Sequence, residues 1–98
     1  MSSVFVPYAV PDHEPGKLFR VVETWNVVGS NNDVLIISPG DTFMILATEL
    51  RNIEGGHVRF TCLGNNGVVW HVWYWIQTLE QYQPFYSSLV RTKFAVPL

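Results

Sequence analysis

His57-Val58-Arg59-Phe60-Thr61-Cys62-Leu63-Gly64-Asn65-Asn66-Gly67-Val68-Val69-Trp70-His71-Val72-Trp73-Tyr74-Trp75-Ile76 is two runs of β-branched and aromatic residues joined by four turn formers. Asn and Gly tolerate the positive φ that a tight reversal between right-twisted strands requires, so the stretch predicts a β-hairpin. With Asn65 and Asn66 as the turn residues, Leu63 faces Val68, Cys62 faces Val69, Thr61 faces Trp70, Phe60 faces His71 and Val58 faces Trp73. Side chains alternate between the faces of a strand. One face then carries Val58, Phe60, Cys62, Val69, His71 and Trp73, and the other Arg59, Thr61, Leu63, Val68, Trp70 and Val72. The first has only apolar residues on its leading strand and is the expected core face. Trp73 and Trp75 are accordingly expected inside, and Trp70 outside beside Thr61.

Before this hairpin, Leu18 to Val28 is another β-rich run, ended by the five turn formers Gly29-Ser30-Asn31-Asn32-Asp33, which reads as a strand and a long loop. Val34 to Ile37 is a short apolar run, Ser38-Pro39-Gly40-Asp41 a turn, and Thr42 to Leu50 a further strand. Glu54-Gly55-Gly56 turns the chain again. Gln77 to Gln83 suits a helical turn or irregular link, and Leu89 to Val96 alternates as a last strand. Residues 1–17, with Pro7, Pro11, Pro15 and Gly16, read as an extended arm with a short edge strand at Val4 to Val6. Residues 18–98 form a single domain.

The composition suits one folded unit. Of 98 residues, 48% are hydrophobic and 14% charged, too apolar for a disordered chain. The six basic residues are scattered and the formal charge is −2, which argues against a phosphate-binding stripe and against an anionic membrane surface. Nucleic acid and membrane are therefore not expected partners. The lone Cys62 and an N-terminus without a basic start or long apolar run point to the cytoplasm, of the cell itself or of a host.

In the order strand, loop, Leu35-Ile36-Ile37-Ser38-Pro39-Gly40-Asp41, strand and hairpin, the chain resembles the SH3-type small barrels. Val21-Val22-Glu23-Thr24-Trp25 is similar to the first-strand motif of that family, Leu35 and Ile37 to its inward-facing pair, and Gly40-Asp41 to its diverging turn. Gly67-Val68-Val69-Trp70-His71-Val72-Trp73 echoes the family's Gly-aliphatic-aliphatic-Pro-x-Asn-Tyr. The resemblance spans roughly residues 18–76 and implies an all-β, five- to six-stranded antiparallel barrel carrying the Pro-rich arm. His57-Val58 stands where the family has a tryptophan pair, and Trp70 and Trp73 replace groove Pro and Tyr, so recognition of proline-rich peptides does not carry over.

No catalytic, metal or phosphate motif is present, and the expected function is non-catalytic, without a cofactor. Tryptophan is enriched at binding hot spots because it buries a large area with few rotors and keeps an N–H donor. The expected binding residues are Trp25, Trp70 and Tyr74, beside the loop from Gly29 to Asp33, together with Arg59. They suit an adaptor or inhibitor that docks onto another protein, in the style of small phage-encoded proteins acting on a host. The alternative is a homo-oligomer enclosing a small ligand between subunits, with a ring stacked on tryptophan and Arg59 or Arg51 for negative charge.

Other groupings have duller readings. Cys62 and His71 share the expected core face one pair out of register, where a thiol is usually a small buried hydrophobe and a histidine a hydrogen-bonded one. Asp12-His13-Glu14 is a run of possible metal ligands on an arm expected to be solvated. Nothing places the carboxylates of Asp41, Glu49 and Glu54 together.

Overall fold

The computed structural model describes residues 6–10, 13–51, 56–76 and 94–98. It is an all-β, barrel-like fold, with eight strands among the described residues: β1 (Val6–Pro7), β2 (Leu18–Val21), β3 (Trp25–Gly29), β4 (Val34–Ile37), β5 (Thr42–Arg51), β6 (His57–Gly64), β7 (Val69–Trp75) and β8 (Ala95–Pro97). The sheet runs β4-β3-β7-β6-β5-β2-β8, with β1 added on β5, and every pairing is antiparallel. The expected strands recur as β2 to β7, and β1 and β8 extend them. Among the described residues no helix is long and apolar enough to cross a membrane.

The run from Leu18 to Val28 divides into two strands, where the sequence pattern suggested one. Val22, Glu23 and Thr24 are exposed between them. The break lets β2 pair with β5 and β8 while β3 crosses to β7. It is held by hydrogen bonds from Val21 N–H to the Asp41 carbonyl and from Gly40 N–H to the Val21 carbonyl, each 2.8 Å, so the Gly40-Asp41 turn ties the two halves of the sheet. The Asp41 carboxylate accepts from Ser38 N–H at 3.0 Å and closes that turn. Leu35 and Ile37 point inward, as the small-barrel resemblance implies.

Gly29 to Asp33 is a tight reversal, shorter than the long loop expected. Gly29 N–H donates to the Asp33 carbonyl at 2.7 Å and Asn32 N–H to the Gly29 carbonyl at 2.9 Å, with Asn32 at a φ of 67°. This is the three-residue hairpin built on a type I turn, whose last loop residue must be left-handed. Asn reaches that conformation more cheaply than most residues.

In β5 the pairing with β6 shifts register between Ile45 and Ala47. Phe43 and Ile45 point inward ahead of this bulge and Thr48 after it, with Leu46 turned out to solvent. An extra residue in one strand resets the alternation and bends the strand, which helps a sheet curl over its own core.

The core is aromatic at its centre. Phe19 stacks on Phe43 at 5.4 Å, Trp25 and Trp70 pack edge to face at 6.3 Å, and both indoles lean on Phe43. Trp25 also stacks on Phe94, ahead of β8. Offset and edge-to-face contacts of this kind add about 0.5–1.5 kcal/mol each beyond area burial.

The described part of the arm belongs to this core. Pro7 pairs with Glu49, Tyr8 N–H donates to the Thr48 carbonyl, and Val10 is buried. His13, expected in solvent, is fully buried: its ring stacks on Phe19 at 5.2 Å, and its carbonyl accepts from Thr48 Oγ1 at 3.0 Å. Apolar burial outweighed the local polarity of the sequence around it. Asp12, Glu54 and the Gln77–Gln83 link lie outside the described residues, as does most of the last expected strand.

Candidate interaction surface

The β6–β7 turn decides which side chains reach solvent. Gly64 N–H donates to the Val68 carbonyl at 2.8 Å and Gly67 N–H to the Gly64 carbonyl at 3.0 Å, with Gly67 at a φ of 86°. The loop is therefore Asn65-Asn66-Gly67, one residue longer than a two-residue turn. The register becomes Leu63 with Val69, Cys62 with Trp70, Thr61 with His71, Phe60 with Val72, Arg59 with Trp73, Val58 with Tyr74 and His57 with Trp75. A slip of one residue turns a whole strand over.

Trp70 accordingly lies inside at 1% exposure, while Trp73 and Trp75 lie outside at 44% and 47%. This reverses the assignment drawn from the sequence. Trp25 is buried as well, and Tyr74 is half-buried with its ring edge-on to Phe60 at 6.1 Å. Burial raises the Tyr74 hydroxyl pKa above its ordinary value, and the nearby Cys62 adds to the rise. The expected surface of Trp25, Trp70 and Tyr74 is thus part of the core; of the four binding candidates only Arg59 is on the outer face. The signal that could have been read is Gly67 itself, since glycine closing a three-residue loop marks that turn class.

Trp70 has a structural partner in Gly64. A Cβ at Gly64 would lie 2.9 Å from Trp70 Cζ3, so only glycine admits the indole there. The Trp70 Nε1 is buried and finds no hydrogen-bond partner among the described residues. The ring is retained for shape and area at the expense of a desolvated donor.

The outer face is a supported aromatic platform. His57 packs against Trp75 with ring centroids 3.9 Å apart, and Arg59 lies 5.7 Å from the Trp73 ring in cation–π range. Arg59 is also bound to Glu49, Nη2 to Oε1 at 2.7 Å, across the β5–β6 pair. Thr61 Oγ1 lies 3.3 Å from His71 Nδ1. Loss of hydration and the neighbouring Arg59 lower the His71 pKa below its ordinary value, while Glu49 opposes them. The neutral form of His71 is thereby favoured, and the Arg59–Glu49 ion pair lies beside the Trp73 indole, with Arg51 opposite His57 on the same face.

Beyond β7 the same face continues onto β3 and β4 as a mostly aliphatic surface that also carries Asn26, opposite Ile36. Val28 is paired with His71 and with Val34, and Val28, Val34 and Ile36 are all exposed.

The remaining candidates separate. Cys62 is fully buried on the inner face and His71 is on the outer face, so the sheet itself stands between them and they form no dyad; burial drives the Cys62 thiol pKa upward. Asp41 and Glu49 are each engaged in the contacts already given. No group of three or more metal-ligating side chains occurs among the described residues. A cleft of about 360 Å³ lies between the two hairpin turns, lined by residues including Ser30, Asn31, Asp33 and Val68. Among the described residues its one charged group is Asp33, and neither Arg51 nor Arg59 reaches it.

Set beside protein-family models, characterised proteins and solved structures, the chain matches none of them.

Proposed function

We propose that this chain is a non-catalytic interaction module that docks a partner protein on the outer face of its sheet, with Trp73 and Trp75 as anchors. The observation that carries this reading is the exposure of two indoles on one strand while the other two tryptophans fill the core. Large aromatic side chains left half in water lose hydrophobic stabilisation that burial by a partner recovers, about 25 cal/mol per Å² of apolar area. The rings are also held in place, by His57 beneath Trp75 and Arg59 beside Trp73, so that little side-chain entropy is left to lose on docking.

The partner that fits such a face presents apolar side chains at its centre and hydrogen-bond acceptors at its rim for the indole N–H groups and Arg59. An adaptor or inhibitor working in the cytoplasm, whether of the cell or of a phage's host, is the role in which a small domain with this face acts. The cleft between the turns favours the small-ligand alternative less, because the arginines invoked for an anionic ligand are elsewhere.

The test is capture from native-host lysate with the wild-type chain, Trp73→Ser, Trp75→Ser and the double variant, followed by acrylamide quenching with the purified partner. Docking on this face predicts that the single variants weaken capture and the double variant abolishes it. The partner then shields wild-type tryptophan fluorescence, since the accessible indoles are the ones it covers. A partner retained in full by the folded double variant overturns the reading.

A further inference from the structure

The β3–β4 hairpin exposes a strand edge built to pair with its own copy. In an antiparallel ladder, hydrogen-bonded pairs alternate with pairs whose backbone groups point away from each other. Gly29 donates to Asp33, so Gly29–Asp33 is a bonded pair and, with the register Val28–Val34, Val27–Leu35, Asn26–Ile36 and Trp25–Ile37, the next bonded pairs are Val27–Leu35 and Trp25–Ile37. Val34 and Ile36 therefore direct their N–H and C=O groups away from β3. The partner strand agrees, for Val28, opposite Val34, instead pairs with His71 of β7, and the next N–H outward, that of Ser30, donates to the Val69 carbonyl.

The two residues with free backbone groups are also the two whose side chains stand in solvent, Val34 at 72% and Ile36 at 68% exposure. β4 ends the sheet, and among the described residues no strand pairs with its outer edge. Natural edges are usually protected by lysine, proline, a bulge or an inward-pointing charge. Val34-Leu35-Ile36-Ile37 has none of these.

We infer that two copies of this chain associate through antiparallel pairing of their β4 edges about a two-fold axis at Leu35, joining both sheets into one. In that register Val34 of one copy meets Ile36 of the other, and each such pair exchanges a donor and an acceptor in both directions. Leu35 meets its own copy as the intervening non-bonded pair. The exposed Val34 and Ile36 side chains of both copies, flanked by Val28 and Asn26 of β3, then close into a single apolar cluster on the outer face. The occupant is a second copy because the edge is self-complementary: residue for residue, apolar side chains and unpaired backbone groups meet their like, with no charge on the strand to repel a copy of itself. A four-residue strand covers far less than the roughly 1,200–2,000 Å² of a stable complex, so the dimer is weak and concentration-dependent. It leaves Trp73 and Trp75 uncovered and stands apart from the docking proposed for them.

Sedimentation of the full chain tests this, between roughly 10 µM and 1 mM, where so small an interface is populated. The expected result is a reversible monomer–dimer transition. Ile36→Lys sets a charge into the shared cluster, and Val34→Pro deletes an edge donor that β3 does not use. Each weakens the dimer by roughly tenfold or more while circular dichroism and thermal unfolding stay close to wild type. For register, Val34→Cys chains are mixed with Ile36→Cys chains under mild oxidation. Facing residues lie about 5.5 Å apart between Cα atoms, within disulfide range, so the mixture gives a heterodimeric disulfide. Either variant alone, with its cysteines on the longer diagonal of about 7–8 Å, does not. A chain that stays monomeric throughout, or a dimer that survives both edge variants, overturns the inference.

Discussion

Between Gly29 and Asp33, and again between Gly64 and Val68, the chain makes the same reversal. The first residue donates to the fifth, at 2.7 and 2.8 Å, and accepts from the fourth, at 2.9 and 3.0 Å. The fourth, Asn32 or Gly67, is left-handed in both. The strands that leave the two turns have different surroundings. The β6–β7 hairpin sits inside the sheet with β5 and β3 on its flanks, its inner face carrying Phe60 and Trp70 and its outer face a braced pair of indoles. Among the described residues the β3–β4 hairpin ends the sheet, and all four residues of β4 are apolar. One turn geometry thus serves a strand whose two faces are chemically distinct and another whose faces are nearly equivalent.

That difference predicts how each hairpin responds when neighbouring residues trade faces. Exchanging Trp70 and His71, as Trp70→His with His71→Trp, puts an imidazole at the centre of the core and an indole on the outer face. Loss of cooperative unfolding in urea is the expected outcome, the largest effect here, because several core contacts fail at once. Exchanging Val34 and Leu35, as Val34→Leu with Leu35→Val, trades one apolar residue for another, beside Ile36 and Ile37 that are already alike, and costs about 1–2 kcal/mol. Equal losses from the two exchanges would mean that the faces of β4 are no more alike than those of β7.

A smaller step compares single indoles across the faces of β7. Trp70→Ala empties the centre of the core and is expected to cost about 3–5 kcal/mol in urea unfolding. Trp73→Ala removes a half-exposed ring and is expected to cost about 1 kcal/mol or less, through lost contact with Arg59. If the two cost the same, the outer platform is part of the structural core and the docking face must be sought elsewhere.

The smallest effect comes from His71, at the seam where the hairpins meet. Its folded pKa lies below the ordinary value of about 6.5, so between those two values the unfolded chain binds more protons than the folded one. Its contribution is whole above about pH 6.5 and is lost as the pH falls through the folded pKa. His71→Gln should flatten that part of the stability profile measured by thermal unfolding from pH 8 to pH 5, while His57→Gln leaves the His71 contribution in place.

Much of the fold could be read without coordinates. Turn formers at Gly29 to Asp33, Ser38 to Asp41 and Gly64 to Gly67 punctuate apolar runs, and each run is a strand except Leu18 to Val28, which holds two. The candidate site was less legible. Val69-Trp70-His71-Val72-Trp73-Tyr74-Trp75 is aromatic or aliphatic at nearly every position, so alternation divides it into two faces without saying which is the inner one. Val58, Phe60 and Cys62 do mark the inner face of β6, but they transmit that mark to β7 only through the turn, and one extra residue in the loop inverts it. Arg59, the one binding candidate left on the outer face, belonged to β6 and did not depend on the turn.

Residue type and turn chemistry act locally, and they were enough to make this chain a small antiparallel β fold with strands close to where they are found. Long-range packing settled that Trp70 fits beside Gly64 and against Phe43, that His13 enters the core, and that Trp73, Trp75 and the β4 edge face solvent. Those outcomes depend on which surfaces distant segments present to one another, and packing chooses between two faces that local pattern leaves equivalent.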